Sequence, residues 1–167
     1  AAAPRLLEVR DHVDVSDNQI RRGANTQLPW IGIQIEMTRP RRDRESERIL
    51  VGQGTALVHG NLVEGSGPGG LVRVTAQGHA TVNDNRCICI GKRSPGAAPV
   101  VDIDAASGVV NGNYVELSWP EGLAIQAQIQ AGLCTMVGNV ATGHYLLGGS
   151  SLSTPWKSLN VEATPKI

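Results

Sequence analysis

From Trp30 to Thr38 the apolar residues Ile31, Ile33, Ile35 and Met37 alternate with Gly32, Gln34, Glu36 and Thr38. Alternation with period two, carried by β-branched residues, predicts a strand that buries one face. The pattern recurs. Leu71 to Ala76 sets Val72 and Val74 against Arg73 and Thr75, and Leu123 to Gln130 sets Ile125, Ala127 and Ile129 against Gln126, Gln128 and Gln130. Shorter apolar pieces lie at Thr55–His59, Ala80–Val82, Arg86–Ile90, Val100–Ile103, Tyr114–Trp119, Leu133–Val140 and His144–Leu147. Asn83-Asp84-Asn85 and Asn111-Gly112 read as hairpin turns, the second because a type I′ turn needs positive φ at both central positions. No segment carries the i, i+3, i+4, i+7 spacing of an amphipathic helix. The strand segments share alternation but not identity, so no internal repeat is expected. The expected fold is all-β: a sandwich or small barrel of roughly nine to eleven short antiparallel strands.

Residues 1–27 break this rhythm. Leu6-Leu7, Val13, Val15 and Ile20 are interspersed with Arg5, Arg10, Arg21 and Arg22 and with Glu8, Asp11, Asp14 and Asp17. This predicts an extended N-terminal arm or edge strand ahead of a single β domain over 28–167. Arg39 to Arg48 holds five Arg against Asp43, Glu45 and Glu47 with no apolar residue between them, so it predicts a solvated loop or one exposed helical turn. Each tryptophan adjoins a proline (Pro29-Trp30, Trp119-Pro120, Pro155-Trp156), which places the tryptophans at strand ends near the rim of the core.

A chain of 167 residues with 41% hydrophobic residues fills one domain and can bury a core. Fifteen basic residues balance fifteen acidic ones. A zero net charge argues against a nucleic-acid binder, whose affinity rests on surplus positive charge. No apolar run reaches the roughly 18 residues of a membrane-spanning helix, and the charged N-terminal stretch lacks a signal-peptide core. Cys87, Cys89 and Cys134 are few and odd in number, which points to free buried thiols and an intracellular origin.

Catalytic patterns do not assemble. Ser66 in Gly65-Ser66-Gly67 follows Glu64 where a nucleophile elbow needs glycine. Cys87 and Cys89 share one strand face and could add His59, His79 or His144 and Cys134 to a zinc site, but ligand pairs spaced by two to four residues are missing. Asp11, Asp14 and Asp17 do not match a calcium loop, and Gly91-Lys92 lacks the earlier glycine of a phosphate loop. Asp102 and Asp104 also share a strand face. They read first as the polar outside of an edge strand, and otherwise, with a His, as the centre of a small β-barrel enzyme. No metal and no cofactor is expected, and no enzyme.

Outward positions are occupied by Gln, Thr, Ser and Asn, a neutral polar surface that tolerates packing against copies of the chain. Arg outnumbers Lys twelve to three, and Arg suits planar interface contacts. Arg21, Arg22, Trp30, Arg39, Arg41, Arg42, Arg44 and Trp156 are the expected interface residues. The segments Ala80–Gly91 (ATVNDNRCICIG) and Val109–Trp119 (VVNGNYVELSW), with the arm before Pro29, resemble virion structural proteins, especially the head decoration (cement) proteins of tailed bacteriophages. The resemblance implies a homo-oligomeric, non-enzymatic protein that stabilises a capsid lattice, located in virions assembled in the host cytoplasm. Its partners would be capsid subunits, with neither nucleic acid nor membrane. The alternative is a β-sandwich module for carbohydrate, using Trp30, Tyr114, Trp119, Tyr145 or Trp156 as a stacking surface.

Overall fold

The structure, a computed structural model, describes residues 7–9, 12–22, 31–37, 41–42, 49–52, 54–65, 69–90, 96–118, 122–129 and 133–162. In chain order the first strands are β1 (Leu7–Val9), β2 (His12–Ser16), β3 (Gln19–Arg21), β4 (Ile33–Met37), β5 (Arg41–Arg42), β6 (Ile49–Gly52), β7 (Thr55–His59), β8 (Leu62–Gly65) and β9 (Val72–Asn83). Then come β10 (Arg86–Cys89), β11 (Val101–Asn111), β12 (Tyr114–Leu117), β13 (Leu123–Gln128), β14 (Cys134–Val137), β15 (Val140–Ala141), β16 (His144–Leu147) and β17 (Ser150–Ser151). A helical turn, α1 (Thr154–Lys157), precedes β18 (Val161–Glu162).

Among the described residues only β16 and β17 form a tight hairpin. Apart from the short β5–β6 and β16–β17 pairs, the pairings among the described residues are parallel. The strands form sheets of nine, six and three, the last in the order β1-β6-β5, and the chain passes repeatedly between the two larger ones so that strands pair with those of a neighbouring circuit. The chain therefore winds as a parallel β-solenoid. The expected antiparallel sandwich or barrel is overturned: the sheets are parallel or mixed, and no barrel closes.

The reason lies at the corners. A type I′ hairpin at Asn111-Gly112 would need positive φ at both residues, but only Gly112 has it (64°), and at Asn83-Asp84-Asn85 only Asp84 does (54°). One left-handed residue turns the chain onto the other sheet without reversing it. Asp17 (57°), Gly60 (66°) and Gly138 (70°) do the same at their corners. Glycine serves here twice over, since a side chain at Gly60 would run into the Asp17 carboxylate and one at Gly112 into that of Asp84.

Each of these five corner residues is followed by an asparagine, and the asparagines stack into a column. The backbone N–H of Asn18 donates to Oδ1 of Asn61 at 3.0 Å, Asn61 to Asn85 at 3.1 Å, Asn85 to Asn113 at 3.1 Å, Asn113 to Asn139 at 3.0 Å and Asn139 to Asn160 at 3.1 Å. Each Nδ2 from Asn18 to Asn139 also donates to the next Oδ1, at 2.8–3.0 Å. From Asn61 onward, Nδ2 reaches back as well to a carbonyl of the preceding circuit: Val15, Val58, Val82, Val110 and Met136 in turn. A repeat therefore exists, an (Asp/Gly)-Asn corner that ends as Leu159-Asn160. Its uneven spacing of 43, 24, 28, 26 and 21 residues hides it from a search for a fixed period.

Register sorts the core into columns as well. Val58, Val82, Val110 and Met136 stack on the larger sheet, as do Ile35, Val74, Ile103, Ala127 and Leu147. Val63, Cys87, Val115 and Ala141 stack on the smaller one. Cys87, Cys89 and Cys134 are free thiols buried in these stacks, and burial pushes Cys87 up to about 12 and Cys134 up to about 11.

Residues expected to form an arm are extended and belong to the stack. Leu7, His12 and Gln19 face Leu50, Thr55 and Leu62, a constant offset that makes the segment the first rung. Within the charged run, Arg41 and Arg42 form β5, antiparallel to β6, in place of a loop or helical turn. At the other end β17 turns back on β16, and Leu152 and Trp156 pack against the last core residues.

Candidate functional site

The outward face of the larger sheet carries a concentrated set of polar side chains. Residues two apart on a strand share a face, and neighbouring strands lie about 4.8 Å apart. In-register pairing converts four separate alternations into two rows. One row runs Gln34, Arg73, Asp102, Gln126 and Leu146; the other runs Glu36, Thr75, Asp104 and Gln128. Their partners at the positions between, such as Val74, Ile103 and Ala127, are fully buried, which holds the outward side chains on a rigid base.

Asp102 is the centre of this surface. Arg73 Nε lies 3.6 Å from its Oδ2, with the Asp102 side chain 20% exposed and that of Arg73 36%. Arg73 Nε and Asp102 Oδ1 are both shielded from solvent and lack a hydrogen-bond partner. Burial pushes the Asp102 carboxyl above its ordinary value, and Asp104 adds to the rise; the Arg73 guanidinium and a hydrogen bond from Gln128 oppose it. Nε and Oδ1 are covered, so it is the exposed remainder of the two side chains that hydrogen-bonding groups from outside can meet.

Beside it the sheet is broken. The β9–β11 register shifts between Ala105 and Ser107, where β9 has one residue more. Such a bulge bends the ladder and re-aims side chains. Thr75, Ala76, Gln77, Asp104, Ala105 and Ala106 line an open depression of about 560 Å³ there. The three alanines leave the space. Past the bulge, His79 Nδ1 and Ser107 Oγ are 2.9 Å apart, and one rung further His12 Nδ1 and Thr55 Oγ1 are 2.8 Å apart.

The expected interface residues are dispersed. Arg21 sits on the first rung and pairs with Glu64 at 3.5 Å, while the Arg22 backbone N–H donates to the Glu64 carbonyl. Trp156 lies at the opposite end, on α1 against the core. Arg41 and Arg42 belong to β5, and Trp30, Arg39 and Arg44 fall outside the described residues. Among the described residues no three His, Cys, Asp or Glu side chains gather into a group that could hold a metal. Sequence reasoning found Asp102 and Asp104 but missed Arg73, Gln126 and Gln128 as their neighbours. The outward alternation of each segment was visible, but only register sets these residues side by side.

No family model, curated protein or solved structure matches the chain.

Proposed function

We propose that the chain binds an extended hydroxyl-rich polymer, a polysaccharide strand, along the outward face of its larger sheet. The observation that carries this reading is the partly exposed Arg73–Asp102 ion pair, set in parallel rows of carboxylate, carboxamide and hydroxyl groups. Planar acceptors and donors at a fixed repeat suit the repeated hydroxyls of a sugar chain. The depression is open, not enclosed, which favours a strand passing over the face to a small molecule held within it. No Trp or Tyr stands in the two rows, so recognition rests on hydrogen bonds and not on ring stacking.

The test is titration of neutral and acidic polysaccharides by calorimetry, against the parent chain and against Asp102→Asn and Gln128→Ala. The reading expects one polysaccharide class to bind, with at least about a tenfold loss in Asp102→Asn, equivalent to 1.4 kcal/mol. Equal binding by all three proteins would remove this face from the argument. The raised Asp102 carboxyl beside Asp104 favours a second reading, general-acid cleavage of the bound strand. Release of reducing ends that stops in Asp102→Asn would select it.

The virion reading stands differently. Within the segments that carry the resemblance to head decoration proteins, Asn83–Arg86 and Asn111–Tyr114 are corners between strands of different sheets. What remains in its support is the low charge of the outer faces.

A further inference from the structure

Ser107 and His79 stand 28 residues apart in the chain, and the β9–β11 register sets them opposite each other on the outward face of the larger sheet. Ser107 Oγ and His79 Nδ1 are 2.9 Å apart, and both residues are half-buried. With the ring proton on Nε2, Nδ1 accepts from the hydroxyl, the contact by which a base activates an alcohol nucleophile. The register shift between Ala105 and Ser107 lies immediately before this pair, and the depression of about 560 Å³ opens there. Ala106, part of its lining, is the chain neighbour of Ser107.

The same contact occurs a second time without those surroundings. His12 Nδ1 lies 2.8 Å from Thr55 Oγ1, but the β2–β7 ladder there is unbroken, and neither residue is a chain neighbour of the lining. A hydrogen bond that only joined strands would be served equally well in either place. What distinguishes Ser107 is space for a substrate beside the hydroxyl.

We propose that Ser107 is the nucleophile, and His79 its general base, in the hydrolysis of small acyl esters seated in this depression. The inference goes beyond the binding of a polymer and does not depend on it. Ala76, Ala105 and Ala106 give a methyl lining that suits a short acyl chain, and the Asp104 carboxylate on the same lining disfavours an anionic one. Ser107 Oγ adds to the ester carbonyl carbon as Nδ1 takes the hydroxyl proton; the ester C–O bond then breaks, and that proton passes to the departing alcohol. Water adds to the acyl-serine in the same way, its proton passing through Nδ1 to Oγ as the carboxylic acid leaves. The sum is ester plus water to alcohol plus acid. By register the neighbour of His79 on its other side is Thr55, a hydroxyl and not the carboxylate of a complete triad. The pair therefore suits esters, whose alcohols leave readily, and not amides.

The experiment uses the full chain, with para-nitrophenyl acetate as substrate and a fluorophosphonate as covalent probe. Steady release of nitrophenol is expected, with at least about a hundredfold loss in Ser107→Ala and in His79→Gln and none in His12→Gln, which disrupts only the companion pair. The fluorophosphonate should leave its phosphonyl group on Ser107, found by peptide mass spectrometry, in the folded chain and not in urea. That label is read on the parent chain, so it decides the matter even where a variant fails to fold. No hydrolysis by the parent, undiminished hydrolysis in Ser107→Ala, or labelling confined to other residues overturns the proposal. Neither readout involves a polysaccharide, so this reading and the binding reading fail separately.

Discussion

The asparagine corner and the Arg73–Asp102 face place polar groups on the same solenoid under opposite rules. Asn61, Asn85, Asn113 and Asn139 are 0–1% exposed, yet every carboxamide is used on both its donor and acceptor sides. Arg73 and Asp102 have more solvent nearby but leave Nε and Oδ1 unmatched. A buried polar group without a partner costs about 1–3 kcal/mol, so a fold built for stability alone would pair these atoms, as it does at the corner. The difference separates polarity satisfied within the fold from polarity left partly unmatched near the surface.

The sharpest way to break that comparison is Asn113→Ala. It strands the buried backbone N–H of Asn85, removes one of the three acceptors around Asn85 Nδ2 and frees the Val82 carbonyl, so urea unfolding should show a loss of about 3 kcal/mol. Asn18→Ala, at the exposed end of the same column, should cost under about 1 kcal/mol. Equal losses would mean that the column does not stabilise by satisfying buried groups.

Next in size is Cys87→Ser, which sets a hydroxyl into the stack of Val63 and Val115. It should cost about 2 kcal/mol by thermal or urea unfolding, and Cys87→Ala less if the site collapses around the smaller group. With its thiol at about 12, Cys87 should also resist alkylation at neutral pH until the chain unfolds.

The smallest effect is one of pH. Because the folded-state Asp102 carboxyl is raised above its ordinary 3.8, its contribution is fully present below that value and declines as pH rises through the folded-state value. The parent chain should therefore lose stability over that interval relative to Asp102→Asn, measured as midpoint denaturant concentration against pH. Identical pH profiles would show that Asp102 is no more strained than the corner asparagines.

Much of the local structure was legible. Trp30–Thr38, Leu71–Ala76 and Leu123–Gln130 each contain the strand that their alternation predicts, and the residues that point inward are the buried ones. The sense of the pairing was not legible. A solvated parallel sheet and a solvated antiparallel sheet impose the same period of two, and Asn111-Gly112 suits either a reversing turn or a corner. The clue lay in Asp17-Asn18, Gly60-Asn61, Asp84-Asn85, Gly112-Asn113 and Gly138-Asn139, which recur without a fixed period because loops of different length separate them.

Sequence by itself determined which residues face inward, where the chain turns, and that Cys87, Cys89 and Cys134 would be small apolar fillers. These follow from alternation, left-handed tolerance and burial preference, all of them local properties. Tertiary structure alone decided that the strands stack in parallel, that scattered asparagines become one hydrogen-bonded column, and that Arg73, Asp102 and Gln126 become neighbours. Those outcomes depend on which strand lies beside which, a choice made by contacts 21 to 43 residues apart at the corners, beyond the reach of any local pattern.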